Sequence, residues 1–283
     1  MPKIISVGTL KGGTGKTSFL FNMSGVLAED KKVLLIDGDP QFNLTSNVGV
    51  DVTKPDLKSI KDVLENKLTA NEVIYKQPIK SLPNLDIIPS SVELTLTELK
   101  LVNMPGRENK LVNFFKNNHD RLSEYDFILM DSNPNLGMIN QNIFLSSDSI
   151  LLISDIDMNS IRGAEFFLAL WEEIRTELGK PDNVKGLILN NADMRSTLWK
   201  QLNDYCLADE TLGKLLIQTI IPMNQIIKET EFCNQPINIL GTTWDEKTKQ
   251  YIQSGTARDK KTRQDIRNKY ADVLLRLKER GVL

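Results

Sequence analysis

A glycine-rich turn between a strand and a helix constrains this chain more than any other feature. Ile4-Ile5-Ser6-Val7 is an apolar run of the kind that forms a buried strand. Leu10-Lys11-Gly12-Gly13-Thr14-Gly15-Lys16-Thr17-Ser18 follows it. Phe19, Met23, Val26 and Leu27 then recur with helical spacing and predict one apolar face. Strand, turn and helix together make a phosphate cradle. Backbone N–H groups of the turn and of the helix N-terminus converge on an anion, and the helix dipole favours negative charge there. Gly12, Gly13 and Gly15 permit close approach and unusual dihedrals. Lys16 can reach the β- and γ-phosphates of a nucleotide, and the Thr17 hydroxyl can ligate Mg²⁺.

Bulk properties narrow the choice further. A chain of 283 residues is ordinary for a single α/β domain, here expected to span 1–283. The net charge of −2 gives no general attraction to nucleic acid or anionic lipid, so any such binding needs a local patch. Cys206 and Cys233 lack metal-ligand spacing and read as free thiols of a reducing cytosol. The single histidine, His119, excludes a site built from several histidines. No apolar run approaches membrane-spanning length, and no signal peptide is visible.

Strands and helices alternate along the chain, which implies an α/β fold with a mostly parallel twisted sheet and helices on both faces. Val33–Asp37 is a continuous apolar run ending in carboxylates, Asp37-Gly38-Asp39-Pro40-Gln41. A short helix is expected near Ile60–Glu65, a strand running into a loop over Leu85–Ser90, and a helix face at Leu111, Phe114 and Phe115. Tyr125–Met130 is a hydrophobic strand ending at Asp131, the pattern of a Walker B segment whose aspartate holds a Mg²⁺ shell. Ser149–Ser154 and Val184–Leu189 are further strands, with a helix through Ile161, Ala164, Leu168, Trp171 and Leu178 between them. Gly179 and Pro181 end that helix.

From Gly241 onward there are eleven Lys and Arg against six Asp and Glu. Thr242–Arg263 is polar and reads as an insertion. Ile266, Tyr270, Val273, Leu274 and Leu277 mark a final amphipathic helix near 264–280. Arg263, Arg267, Arg276, Lys278 and Arg280 lie off its apolar stripe. Three readings stay open for that face: a solvated charged surface, a patch that tracks DNA phosphates in a salt-dependent way, and a membrane-surface helix.

The usual P-loop pattern, G-x-x-x-x-G-K-[ST], fails only at Leu10, and a second lysine, Lys11, precedes the double glycine. Lys11-Gly12-Gly13-x-x-Lys16-Thr17 resembles the deviant Walker A motif of the superfamily of ParA/Soj partition ATPases, MinD and the nitrogenase iron protein. Asp37-Gly38-Asp39-Pro40-Gln41-Phe42-Asn43-Leu44-Thr45 resembles the segment after the second strand in the partition ATPases, with Phe42 where the family usually has glycine. The resemblance covers roughly 3–240. It implies a P-loop NTPase fold and a slow ATPase using ATP and Mg²⁺. The nucleotide would be held by Lys11, Gly12, Gly13, Thr14, Gly15, Lys16, Thr17 and Ser18. Asp39 would orient the attacking water, and Lys11 would touch the nucleotide of a second subunit. Thr17, Asp37 and Asp131 would order the metal. Asn190 would read adenine, and Pro222 and Met223 would flank the base, Ile221–Asn224 resembling the family's last-strand segment. Asn133 replaces a proline after the Walker B strand.

The resemblance further implies a homodimer formed with ATP, non-specific DNA binding, a ParB-like activator, and a cytoplasmic, nucleoid-associated location rather than a membrane. The arginines that Soj-like proteins use for DNA are replaced by Met223 and Gln225. Beginning at its first strand, the chain is expected to lack the operator-binding N-terminal domain of larger partition ATPases. A MinD-like membrane ATPase is the competing reading. An iron–sulfur carrier would need paired cysteines near Asp131, and a related kinase would need a tyrosine cluster at the end.

Overall fold

The computed structural model describes residues 1–245, 248 and 250–283. Its seven-stranded sheet consists of β1 (Lys3–Gly8), β2 (Val33–Asp37), β3 (Tyr75–Lys76), β4 (Leu85–Ile88), β5 (Phe127–Asp131), β6 (Ser149–Asp155) and β7 (Val184–Asn190). Their order is β3-β4-β2-β5-β1-β6-β7. All neighbours are parallel except β3 and β4.

Alternate strand residues feed two separate hydrophobic clusters, one on each face. Leu34, Ile36, Ile128, Met130, Leu187 and Leu189 join one. Val33, Leu35, Leu129, Ile153 and Ile188 join the other. A sheet covered on both faces needs apolar residues at successive positions, which is why these strands read as continuous apolar runs. The helices expected near 60–65, at Leu111, Phe114 and Phe115, and through 161–178 are present as Ile60–Leu64, Lys110–Asn117 and Met158–Glu177.

The helix after the glycine-rich turn, Lys16–Leu27, departs from the single apolar face predicted for it, since every residue from Phe19 to Leu27 is buried. The sheet covers one side, and the final helix covers another, with the Phe19 and Tyr270 rings 5.7 Å apart. Asn22 fastens a third side. Its Nδ2 donates to Thr230 Oγ1 at 3.2 Å, and its Oδ1 accepts the Ile237 N–H at 2.8 Å.

The final helix, Ala257–Glu279, starts seven residues earlier than the apolar stripe indicated. A capping box explains the start: Asp259 accepts the Thr256 N–H at 3.0 Å, and Thr256 Oγ1 accepts the Asp259 N–H at 3.2 Å. The expected insertion is an antiparallel ribbon, β8 (Thr242–Asp245) and β9 (Gln250–Gln253), followed by this capped start.

The arginines singled out beside the apolar stripe, Arg263, Arg267, Arg276 and Arg280, are neither merely solvated nor a free patch. Arg263 donates to the carbonyls of Leu240 and Ser254 at 3.1 and 2.8 Å. Arg267 pairs with Glu29 at 2.5 Å. Arg276 donates to Asp272 and Thr219 at 3.1 and 2.8 Å. Arg280 reaches the carbonyls of Lys214, Leu215 and Leu216 at 3.0, 2.9 and 2.6 Å. These side chains strap the helix to the body.

The segment Ile221–Asn224, likened to a last-strand segment, forms no strand among the described residues and makes an isolated bridge, Ala192 with Pro222, just past the end of β7. Pro222 has no N–H to give a ladder.

Removing the ring that joins the two helices should be costly. Tyr270→Ala is expected to lower unfolding free energy by about 3–5 kcal/mol in urea titration, while Lys278→Ala should change it by less than about 0.5 kcal/mol.

Candidate functional site

The site lies at the C-terminal ends of β1, β2 and β5, where an open parallel sheet leaves a crevice. β1 ends at Gly8 and the helix begins at Lys16, so residues 9–15 form the turn. Gly13 and Gly15 have φ of 80° and 77°, in the left-handed region. Gly13 has open space where a Cβ would stand, so that side of the turn is free to accept a phosphate. Gly15 is crowded instead, since a Cβ there would lie 2.5 Å from Asn190 Nδ2. Asn190, itself buried, donates that amide to the Thr14 carbonyl at 2.8 Å. The side chain expected to read adenine therefore braces the turn from beneath. Thr14 is also buried, and its Oγ1 has no hydrogen-bond partner among the described residues.

Register brings the carboxylates together. β2 and β5 pair with Asp37 opposite Asp131, and both are fully buried. Thr17 Oγ1 donates to Asp131 Oδ2 at 2.5 Å. Asp37 Oδ2 accepts the Thr45 N–H and hydroxyl at 2.8 and 2.7 Å. Thr45 Oγ1 in turn accepts the Ser90 N–H at 2.9 Å. Burial and then the charge of Asp131 push the Asp37 carboxyl up to about 7. Burial raises Asp131 to about 6, against the pull of Lys16 and Thr17, while Asp39 pushes it further up.

Two buried carboxylates with a hydroxyl at hand and too little positive charge are a donor set suited to a hard divalent cation. Mg²⁺ takes one or two carboxylates, phosphate oxygens and waters. Thr17, Asp37 and Asp131 fit that set, and the unpartnered Thr14 hydroxyl and the open face of Gly13 fit a polyphosphate.

Asp39 lies on the same rim, its Oδ1 accepting the Gln41 N–H at 2.9 Å and its carbonyl the Ser90 hydroxyl at 2.7 Å. A cavity of about 460 Å³ is lined by Gly12, Gly13, Gly15, Lys16, Thr17, Ser18 and Asp39 together with Asn47, Pro134 and Glu231. Pro222 and Met223 line a neighbouring cavity of about 510 Å³ with Asp193, Arg195 and Lys228.

Lys11 is not directed into the cavity. Its Nζ is 2.6 Å from Asp157 Oδ2 of the same chain, both side chains being partly exposed. Asp157 also caps the helix Met158–Glu177, accepting the Ser160 N–H at 3.0 Å and its hydroxyl at 2.9 Å. Partial burial acts to raise its carboxyl, but Lys11 and Ser160 prevail and hold it below the ordinary value. Asp157 was missed in the sequence, although Asp157-x-x-Ser160 before an apolar period is a helix-start signal. Asn133 is tethered, with its carbonyl accepting from Asn140 at 2.8 Å. Phe42, in the place of the usual glycine, adopts φ 48°.

This arrangement defines a P-loop ATPase. Residues 2–184 match the family described as the AAA domain. The chain belongs to that family, as an ATPase of the ParA/Soj partition type. It is 29% identical to the sporulation initiation inhibitor protein Soj of Bacillus subtilis over 242 residues, 84% of this chain and 90% of Soj. It is 27% identical to the chromosome partitioning protein ParA of Myxococcus xanthus over 241 residues, 83% of this chain and 80% of that protein. The fold is shared with a plasmid partition protein of Borrelia burgdorferi bound to AMPPNP, at a TM-score of 0.73 and 20% identity over 99% of each chain. It is shared too with an ATP complex of a Cyanothece McdA variant, at a TM-score of 0.78 and 20% identity over 98% of this chain and 96% of that one.

The raised carboxyls make the nucleotide-free fold sensitive to pH. Between about pH 4, where an unfolded aspartate ionises, and about pH 7, the folded chain holds protons that the unfolded chain has lost. The contribution of Asp37 and Asp131 to stability is therefore greatest below that window and declines as pH rises through it. Asp37→Asn is expected to raise the melting temperature of the nucleotide-free protein at pH 8 and to raise it much less at pH 5. Equal shifts at both pH values in thermal melts would contradict the assignment.

Proposed function

We propose that this ATPase is a nucleotide-driven dimerising switch for DNA partition. The observation that carries the reading is the buried pair Asp37 and Asp131 in register beside Thr17 and Lys16, with Asp39 on the rim of the same cavity. ATP would be held by the turn from Lys11 to Ser18, the backbone N–H groups and Lys16 taking the phosphates. Mg²⁺ would be held by Thr17, Asp37 and Asp131 and would neutralise charge on the β- and γ-phosphates when bound. Asp39 would orient the attacking water. Phosphoryl transfer asks the protein mainly for positioning and charge stabilisation, and this set supplies both.

Lys11 would serve a second copy of the chain. To do so it must leave Asp157, so the ion pair opposes dimerisation and the nucleotide favours it. Hydrolysis removes the γ-phosphate and returns the balance to the single chain. The dimer would bind DNA without sequence preference, in the cytoplasm at the nucleoid, and a ParB-like protein on the cargo would stimulate hydrolysis. Asn190, Pro222 and Met223 are the residues for the base side of the nucleotide, Asn190 acting through its hold on the turn.

The competing MinD-like reading requires a final helix free to lie in a membrane. Ile266, Tyr270, Val273 and Leu277 are instead buried against the body, and among the described residues no helix is long and apolar enough to cross a membrane.

The deciding experiment measures binding to random-sequence duplex DNA and to anionic liposomes, with ATP, with ADP, and with Asp39→Ala in ATP, across a salt series. ATP-dependent DNA binding that persists in Asp39→Ala and weakens steeply with salt is the expected result. Liposome binding without DNA binding would replace the partition reading by the membrane one. Asp39→Ala should bind ATP while losing about a hundredfold or more of its turnover.

Asp157→Asn keeps the helix cap and releases Lys11 from its charge partner. It is expected to shift ATP-dependent dimerisation to a few-fold lower protein concentration in analytical ultracentrifugation, as befits a partly exposed ion pair worth about 1 kcal/mol or less.

A further inference from the structure

We propose that the β8–β9 ribbon and the first turns of the final helix form the surface that grips duplex DNA. This rests on the DNA-binding reading above and supplies its missing contact surface. The arginines further along the helix are committed to carbonyls and carboxylates of their own chain. Arg258, Lys260 and Lys261 are different. All three are exposed, and none of their side chains makes an ion pair or hydrogen bond among the described residues. They stand at the end of the helix where the dipole disfavours cations. Their placement therefore does nothing for the helix. The one acid among them, Asp259, is turned to the capping box with Thr256.

The ribbon adds the second half of the surface. Trp244 pairs with Tyr251 across the strands, their rings 5.0 Å apart and edge to face. Thr243 pairs with Ile252 on the opposite face. Trp244, Tyr251 and Ile252 are 45, 42 and 48% exposed, so apolar surface stands open on both faces. A two-stranded ribbon is marginal alone, and this one is anchored at its base. There Gln253 donates to the Leu240 carbonyl at 2.9 Å, and Arg263 joins the Ser254 and Leu240 carbonyls to the helix. The aromatic ribbon and the three cations are thereby held beside one another.

Charge selects the occupant. From Thr242 to Arg263 the sequence carries six Lys and Arg against three Asp and Glu, within a chain of net charge −2. A polyanion is what such a segment attracts. The major groove of duplex DNA admits a two-stranded ribbon, and the phosphates on its rim would meet Arg258, Lys260 and Lys261. Contacts of this kind hold the duplex without specifying its sequence.

The test uses the full-length protein with a non-hydrolysable ATP analogue and a short random-sequence duplex, read by fluorescence anisotropy across a salt series. The triple variant Arg258→Ala/Lys260→Ala/Lys261→Ala should bind about tenfold to a hundredfold more weakly near 0.1 M salt. Its slope of log affinity against log salt should be shallower by about 2 to 3. ATP turnover without DNA should be unchanged. Trp244→Ala/Tyr251→Ala should weaken binding with little change in slope. Lys278→Ala should leave both alone. Wild-type binding that the triple variant retains would overturn the assignment of this surface and leave the partition reading standing. Absence of wild-type DNA binding in every nucleotide state, with ATP turnover intact, would overturn the DNA reading itself. Loss in the triple variant of binding to phosphatidylglycerol vesicles, with DNA binding unaltered, would make the surface a membrane contact and overturn the proposal.

Discussion

Two carboxylates buried side by side at the ends of neighbouring strands are expensive, and much of this molecule is arranged around them. Burial, joined by the charge of Asp131 at Asp37 and by that of Asp39 at Asp131, pushes Asp37 and Asp131 up to about 7 and about 6. The chain keeps them there by placing a donor on each. Thr17 belongs to the first turn of the helix that follows the glycine-rich turn, and Thr45 to the short helix Asn43–Asn47. Both helix starts are thus set by where a hydroxyl must stand. Gly38 is part of the same constraint, because a Cβ there would lie 2.2 Å from Ile143 and 2.8 Å from the Asp131 carbonyl. The strain that remains is the kind a bound cation relieves, which links the architecture of the site to its chemistry.

Most of the sheet and half of the site were legible in the sequence, for a physical reason. A parallel strand covered on both faces must be apolar throughout, so β1, β2, β5, β6 and β7 announce themselves. A phosphate turn needs glycines and a lysine at fixed spacing, so residues 10–18 do too. What escaped involves partners with no sequence signature. A backbone carbonyl looks the same in every residue, and Arg263 and Arg280 bond to carbonyls. Their spacing off the apolar stripe was visible, but their commitment to Leu215 or Ser254 was not. Asn22 meets Thr230 from 208 positions away, so a helix that reads as one-faced is enclosed on every side. Asn190 could be picked out at the end of β7, yet its bond to the Thr14 carbonyl needed the register of β6 and β7 to be known. The segment 219–224 has the composition of a strand, and Pro222 alone marked where its ladder would fail.

The loop carrying Asp39 has a strained residue whose retention the backbone makes intelligible. Phe42 occupies a left-handed conformation that glycine adopts freely and a phenylalanine adopts at a cost of about 1–3 kcal/mol. The surroundings hold it there. Ser90 grips the Asp39 carbonyl, Thr45 grips Asp37, and Asn234 donates to the Ser46 carbonyl at 2.6 Å. Asn234 lies in the segment that continues to Gln235, whose amide donates to the Thr242 carbonyl at the base of the ribbon. The nucleotide loop and the ribbon are consequently two ends of one bonded stretch.

The borders of the sheet carry a consequence of their own. At one border β3 is a two-residue antiparallel strand. At the other, β7 is shadowed by residues 216–222, which take some of its outward hydrogen bonds through isolated bridges. Neither border offers the long row of unpaired amides on which a stranger's strand could template itself. Copies of this chain are therefore discouraged from zipping together through these borders. Contacts between copies at these borders would fall to side chains rather than to strand pairing.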